Sequence, residues 1–305
     1  MSYKEIQRSK AIQFRKELFV DLGQGTYRGE SREFVLKDSK LNLWAGIRED
    51  AIDYYTRNKI SWWESGNQPT GHLLSSQIAC LNHLYFIRQR QDLATKILQA
   101  IDSRIKKAEI IDDGYVEFEK VGLKNLGKEL GSTRGANCTS VDAIMLGSKN
   151  NGERILFFIE WKYTESYSQE SKLNGDSGLT RQEAYKDLLN DSLCPIKISN
   201  TDDLYYEPFY QLMRQTLLAW EMTKRNEYGA VDWVHLHIIP TDNLELRNKI
   251  TSPGMSGNNI EEAWKSVLKD PSKYISSSPE QFLLPLQDEP DTKSLLTYLK
   301  DRYWI

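Results

Sequence analysis

Ile155-Leu156-Phe157-Phe158-Ile159 is followed at once by Glu160-Trp161-Lys162, and no other stretch restricts the fold of this 305-residue chain so tightly. Five consecutive apolar residues describe a strand buried on both faces, which calls for helices on either side of a sheet. Glu160 and Lys162 stand two residues apart and so share one face of that strand. Ionised groups at the end of a buried strand are costly unless paired or bound to a metal. A pair that served stability alone is replaceable by apolar residues. The two charges therefore point to a site.

The preceding segment supplies a partner strand. Residues 140–146 include Val141, Ala143, Ile144, Met145 and Leu146, and Gly147 to Gly152 form a hairpin signal. The turn centres on Asn151, with Asp142 and Glu160 each nine residues away. Residues equidistant from an antiparallel turn stand opposite, with Cβ atoms roughly 4.5–5.5 Å apart. The register thus predicts Asp142 facing Glu160, with Lys162 beside them.

Around this hairpin the periodicity predicts mostly helix over residues 1–110, including 43–62, a helix capped by Ser75 or Ser76, and a helical stretch over 89–107. A strand is expected at 115–119, a long mobile loop at 164–178, helices at 180–190 and 205–224, and a strand at 231–240. The tail reads as helix and loop, closing with a helix over 292–303. The expectation is an α/β fold with the order helix, three strands, helix, strand, a mixed central sheet, and helical extensions at both ends. The boundaries are read as a helical extension at 1–62, a core at 63–240 and a helical extension packed on it at 241–305.

Two adjacent carboxylates make a hard-oxygen site suited to Mg²⁺ or Mn²⁺, which keeps several waters and accepts phosphate oxygens. Such an ion polarises a phosphate and activates a water, and Lys162 would orient that water and offset the charge growing in the transition state. This is phosphodiester hydrolysis chemistry. The tripeptide alone is weak, because an acid-x-Lys pattern also occurs at Asp38-Ser39-Lys40, Glu170-Ser171-Lys172 and Asp291-Thr292-Lys293. Glu160 is singled out by its place after a buried strand, with an acid on the neighbouring strand. The opposing reading makes Asp142 and Glu160 structural ion partners of Lys162 and Arg154.

Asp142 on one strand and Glu160-x-Lys162 on the next, in this element order, resemble the PD-(D/E)XK restriction-endonuclease-like superfamily. The stretch from Ile159 to Glu165 is similar to a bacterial branch of it, as are Ser75 to Asn82 and Phe209 to Gln215. The resemblance implies that Asp142 and Glu160 bind metal and that Lys162 is catalytic. It also implies that Gln211 and Arg214 contact phosphate or position the acids. Val141 stands where the superfamily's motif has proline, and Gln77 stands where many relatives carry Glu, so Glu119 is an alternative third acid. The implied activity is a Mg²⁺- or Mn²⁺-dependent nuclease acting on DNA, with RNA also open, and a homodimer is a further expectation. The alternative is an inactive module on the same fold that binds nucleic acid or protein.

Other chemistries are disfavoured. Cys80, Cys138 and Cys194 are widely spaced and form no C-x-x-C pair, so they read as buried free thiols in a reducing compartment. His235 and His237 share a strand face, with no third ligand at metal-binding spacing. Gly23, Gly25 and Gly29 miss the dinucleotide pattern and read as a loop. The net charge of −3 gives no broad basic surface, yet residues 1–16 carry +4 through Lys4, Arg8, Lys10, Arg15 and Lys16 against Glu5. With neither an apolar leader nor a run long enough to span a membrane, the expectation is a cytoplasmic protein.

Overall fold

The computed structural model describes residues 1–19, 21, 23–64, 66–129, 138–174 and 177–304. The chain opens with helix α1 (Tyr3–Leu18), started by a capping box in which Ser2 and Glu5 bond reciprocally. A hairpin of β1 (Gln24–Tyr27) and β2 (Glu30–Leu36) follows where a loop was expected. Arg28 and Gly29 turn it with φ of 53° and 79°, the two successive positive φ values that fit a tight hairpin turn. Helix α2 (Arg48–Arg57) is shorter than the expected 43–62. Helix α3 (Ser76–Arg88) starts where Ser75 Oγ accepts the Ile78 N–H.

Helix α4 (Gln91–Ile101) ends earlier than expected, because the chain re-enters the sheet as β3 (Ile105–Glu109). That strand lies at the edge, and its Lys106 and Lys107 point into solvent. Charge on the outward face suits an edge strand and erases the apolar alternation by which strands are recognised. Strands β4 (Glu117–Lys120), β5 (Val141–Lys149) and β6 (Arg154–Trp161) form an antiparallel set. After helices α5 (Gly178–Leu189) and α6 (Phe209–Lys224), β7 (Ala230–Ile238) pairs with β6 in parallel. Pro208 delays the start of α6 relative to the expected 205, since the residue before a proline avoids helical backbone.

The tail contributes α7 (Leu244–Arg247), α8 (Ile260–Ser266), β8 (Tyr274–Ser277), α9 (Pro279–Leu283) and α10 (Lys293–Tyr303). Strand β8 pairs in parallel with β7, so the tail is not only helix and loop. The sheet runs β3–β5–β6–β7–β8 with β4 also on β5. Ile155, Phe157, Ile159 and Trp161 enter one buried cluster with α3, α4 and α10, while Leu156 and Phe158 enter a second with α6. Both faces of β6 are thus covered, as its composition requires.

The segment read as a mobile loop, 164–178, includes residues 175 and 176, which lie outside the described residues. Its described part is tied down. Lys172 donates its N–H to the Tyr205 carbonyl, Ser171 bridges to Tyr206, and the Tyr167 carbonyl accepts from Lys249. No helix of the described residues is long and apolar enough to cross a membrane.

Candidate active site

At one end of the sheet, β4, β5 and β6 carry Glu119, Asp142 and Glu160 at matching register positions. The β5–β6 ladder pairs Ser148 with Arg154 and Ala143 with Ile159, which ends one step short of Asp142 and Glu160. On the other edge of β5, Phe118 pairs with Ala143 and Lys120 with Val141, which brackets Glu119 and Asp142. The regular ladder stops here. Trp161 donates its backbone N–H to Asp142 Oδ2 at 2.7 Å, and Glu119 takes left-handed backbone with φ of 52°. A non-glycine residue holds that conformation only where its surroundings enforce it.

Asp142 keeps part of its surface open to a cavity of about 550 Å³ that Gln77 and Glu119 also line. Burial lifts its carboxyl well above the usual carboxylate range, and the charges of Glu160 and Glu119 lift it further. Cys80 of α3 senses the same acids: burial first, then Asp142, Glu119 and Glu160, push its thiol up. The three carboxylates share one region of negative potential. Among the described residues, however, no group of three or more His, Cys, Asp or Glu closes into a metal cage.

Glu160 turns towards α6. Its Oε1 accepts from Lys162 Nζ at 2.6 Å and from Gln211 Nε2 at 2.7 Å, and its Oε2 accepts from Gln215 Nε2. Gln211 clasps the pair, since its own Oε1 accepts from Lys162 Nζ at 2.6 Å. Glu160 is 3% exposed and Lys162 4%. Burial is the largest single influence and opposes charging of Lys162, but Glu160, Tyr167, Glu165 and Asp142 together outweigh it and hold the ammonium well above its ordinary pKa. Lys162 is therefore a permanent cation at neutral pH.

The accessory residues divide between two cavities. Gln77 accepts the Trp63 N–H at 2.9 Å and donates to Glu119 Oε1 at 2.9 Å, so it braces an acid. Gln211 reaches Glu160, whereas Arg214 does not: its Nε donates to Thr139 Oγ1 at 2.9 Å and its guanidinium lies 3.7 Å from Glu129. Arg214 and Gln211 line a second cavity with Lys172, Arg181 and Tyr185. Sequence reasoning missed Gln215. Its signal was the four-residue spacing from Gln211, which sets both amides on one face of α6. Arg154, offered as a structural partner of the acids, instead donates to the Tyr228 carbonyl.

His235 and His237 are fully buried and bond through Nδ1 with Thr216 and with the Tyr274 hydroxyl. Burial depresses both, His235 to about 3, so the rings stay neutral. Cys80 and Cys194 are buried thiols as expected, whereas Cys138 is only half-buried.

A hard divalent cation held at the acid row would take few protein oxygens and keep most of its waters. Asp142 is open to the cavity, and of the roughly four lone-pair sites of an ionised carboxylate, three on Glu160 are taken by Lys162, Gln211 and Gln215. Burial first, and then the charges of Glu160 and Glu119, disfavour the ionised form of Asp142, and a cation beside it would offset both.

A mixed sheet flanked by helices, with antiparallel strands β3 to β6 followed by helices α5 and α6 and the parallel strands β7 and β8, fits an α/β protein of the restriction-endonuclease-like class. The chain belongs to the family described as Restriction Endonuclease associating with ARP, whose family model matches residues 10–304. No curated protein and no solved structure matches the chain. Membership in that family makes a nuclease the class of activity to expect.

Proposed function

We propose that the chain is a metal-dependent nuclease that hydrolyses DNA phosphodiester bonds, with Asp142 and Glu160 as the metal-holding acids and Lys162 as the catalytic cation. The observation that carries this reading is the alignment of Glu119, Asp142 and Glu160 on three neighbouring strands, with Lys162 bonded to the last of them. Mg²⁺ or Mn²⁺ bound there would supply Lewis-acid polarisation of the phosphate and a water of lowered pKa. The chain's own residues do the rest. Gln211 and Gln215 fix the rotamer of Glu160, and the Trp161 N–H holds Oδ2 of Asp142, a residue that lines the cavity. Lys162 brings a positive charge to the phosphate without needing to gain a proton. Glu119, braced by Gln77, stands as the third acid.

One observation favours the second reading, an inactive module that binds nucleic acid: Glu160 and Lys162 are almost sealed and satisfy each other. Incubation of plasmid and single-stranded DNA with Mg²⁺ or Mn²⁺ separates the two. The nuclease reading expects cleavage that stops in chelator and in Asp142→Asn, a variant that keeps an oxygen for the Trp161 N–H. Cleavage that persists in either case refutes the assignment of the site. DNA retention without any turnover establishes the binding module instead.

A further inference from the structure

The cavity that Asp142 enters has a second wall, and it is aromatic. Tyr27 from the hairpin, Trp63 and His72 surround one another there. Their ring centroids lie 6.2 Å apart for Tyr27 and Trp63, 4.8 Å for Tyr27 and His72, and 5.3 Å for Trp63 and His72. Trp63 is 41% exposed, unusual for so large an apolar side chain. Its neighbour explains how it is presented. Trp62 is buried and stacks on Tyr55 at 3.9 Å, and the Trp62 and Gly66 backbones bond to each other in both directions. Trp62 is thus the anchor that sets Trp63 at the cavity.

This wall is built to hold its place. Strand β2 bonds to the segment before α3, with Leu36 donating to the Gly71 carbonyl and Leu73 to that of Phe34. A Cβ on Gly71 would come within 2.5 Å of the Leu36 carbonyl oxygen, so only glycine permits that approach. Burial lowers His72 to about 4, which keeps its ring neutral and able to pack as an aromatic surface. Gln77 joins the two walls, taking the Trp63 N–H on one side and donating to Glu119 on the other. Cations border the aromatic side: Lys4 lines the cavity, Arg28 lies over Tyr27 at 5.3 Å, and Arg8 over Phe34 at 4.9 Å.

A partly exposed indole beside cations, lining the same cavity as Asp142, matches what an unpaired nucleobase requires. Bases stack on such rings irrespective of identity, while lysine and arginine follow the backbone. We propose that Trp63, with Tyr27 and His72, is a stacking platform for one unpaired base of a DNA strand whose phosphate lies at Asp142, so that the preferred substrate is single-stranded or locally unpaired DNA. The inference rests on the nuclease reading for the identity of the neighbouring phosphate site, but its test does not require turnover.

The full-length protein is titrated, in chelator to prevent cleavage, with a fluorescein-labelled single-stranded oligonucleotide and with a blunt duplex of equal length, followed by anisotropy. The expected result is tighter binding of the single strand, a loss of about tenfold in that affinity in Trp63→Ala, substantial recovery in Trp63→Phe, and little change for the duplex. Tyr27→Ala should weaken single-strand binding in the same selective way. Circular dichroism melts confirm that the variants fold. The proposal is overturned if Trp63→Ala binds the single strand as wild type does, if it weakens single strand and duplex alike, or if no single-strand binding occurs. Selective, Trp63-dependent binding in a protein that never cleaves DNA upholds the platform and refutes the nuclease. Cleavage indifferent to Trp63 does the reverse.

Discussion

Replacing Lys162 with Met should cost about 3 kcal/mol of folding stability. The Nζ atom lies 2.6 Å from Glu160 Oε1 and 2.6 Å from Gln211 Oε1, in a site where the two charged side chains are only 6% and 4% exposed. Removing one member of a buried ion pair leaves the other charge without compensation, typically a loss of about 3–5 kcal/mol. Glu160 would still accept from Gln211 and Gln215, and hydrogen bonds to a charged group contribute about 1.5–3 kcal/mol each, so the low end of that range applies. The double variant Lys162→Met with Glu160→Gln removes both charges and should return to within about 1 kcal/mol of wild type, recovering roughly 2 kcal/mol of the single variant's deficit. Urea unfolding of the metal-free protein measures both differences. The folded pKa of Lys162 lies above its unfolded value. The pair's contribution is therefore complete below the ordinary lysine value of about 10.4 and fades only as pH climbs through the folded one. The deficit of the single variant should accordingly be flat across neutral pH. A cost below about 1 kcal/mol, or a double variant no better than the single one, would show that the pair is not buried and coupled as described.

The raised Asp142 leads to two further outcomes. Because its folded pKa exceeds its unfolded one, the native state binds more protons and loses stability as pH rises from the ordinary aspartate value of about 3.9 through the folded value. Metal-free Asp142→Asn should therefore melt higher than wild type at neutral pH, by about 1 kcal/mol from the relieved like-charge contact; an unchanged or lower melting temperature there counts against the repulsion. Binding of Mg²⁺ or Mn²⁺ should release protons and weaken as pH falls through that raised value. Calorimetry in buffers of different ionisation enthalpy checks this, and binding with no proton release contradicts the placement of the ion at Asp142.

Much of the frame was legible in the order of residues. The run from Ile155 to Ile159 announced a strand covered on both faces, and it lies between the α3 and α6 clusters. Symmetry about Asn151 predicted the register that the ladder from Ser148–Arg154 to Ala143–Ile159 keeps. Ser75 predicted its own helix start. The elements that were missed all lacked a local pattern. Strand β3 hides behind Lys106 and Lys107 at an edge, and β8 is a four-residue segment that pairs with β7. The β1–β2 hairpin was obscured by the glycines that its close contacts need.

Local periodicity and turn symmetry are short-range properties, so the chain by itself determined the buried strand, its hairpin partner and the register between them. Who surrounds those acids is a long-range matter. Folding alone brought Gln211 and Gln215 from α6 onto Glu160, steered Arg214 away to Glu129, and set Trp63 against Gln77 beside Glu119. The reason is physical: a buried carboxylate takes whichever donors packing delivers, and no spacing along the backbone records a partner some fifty residues away.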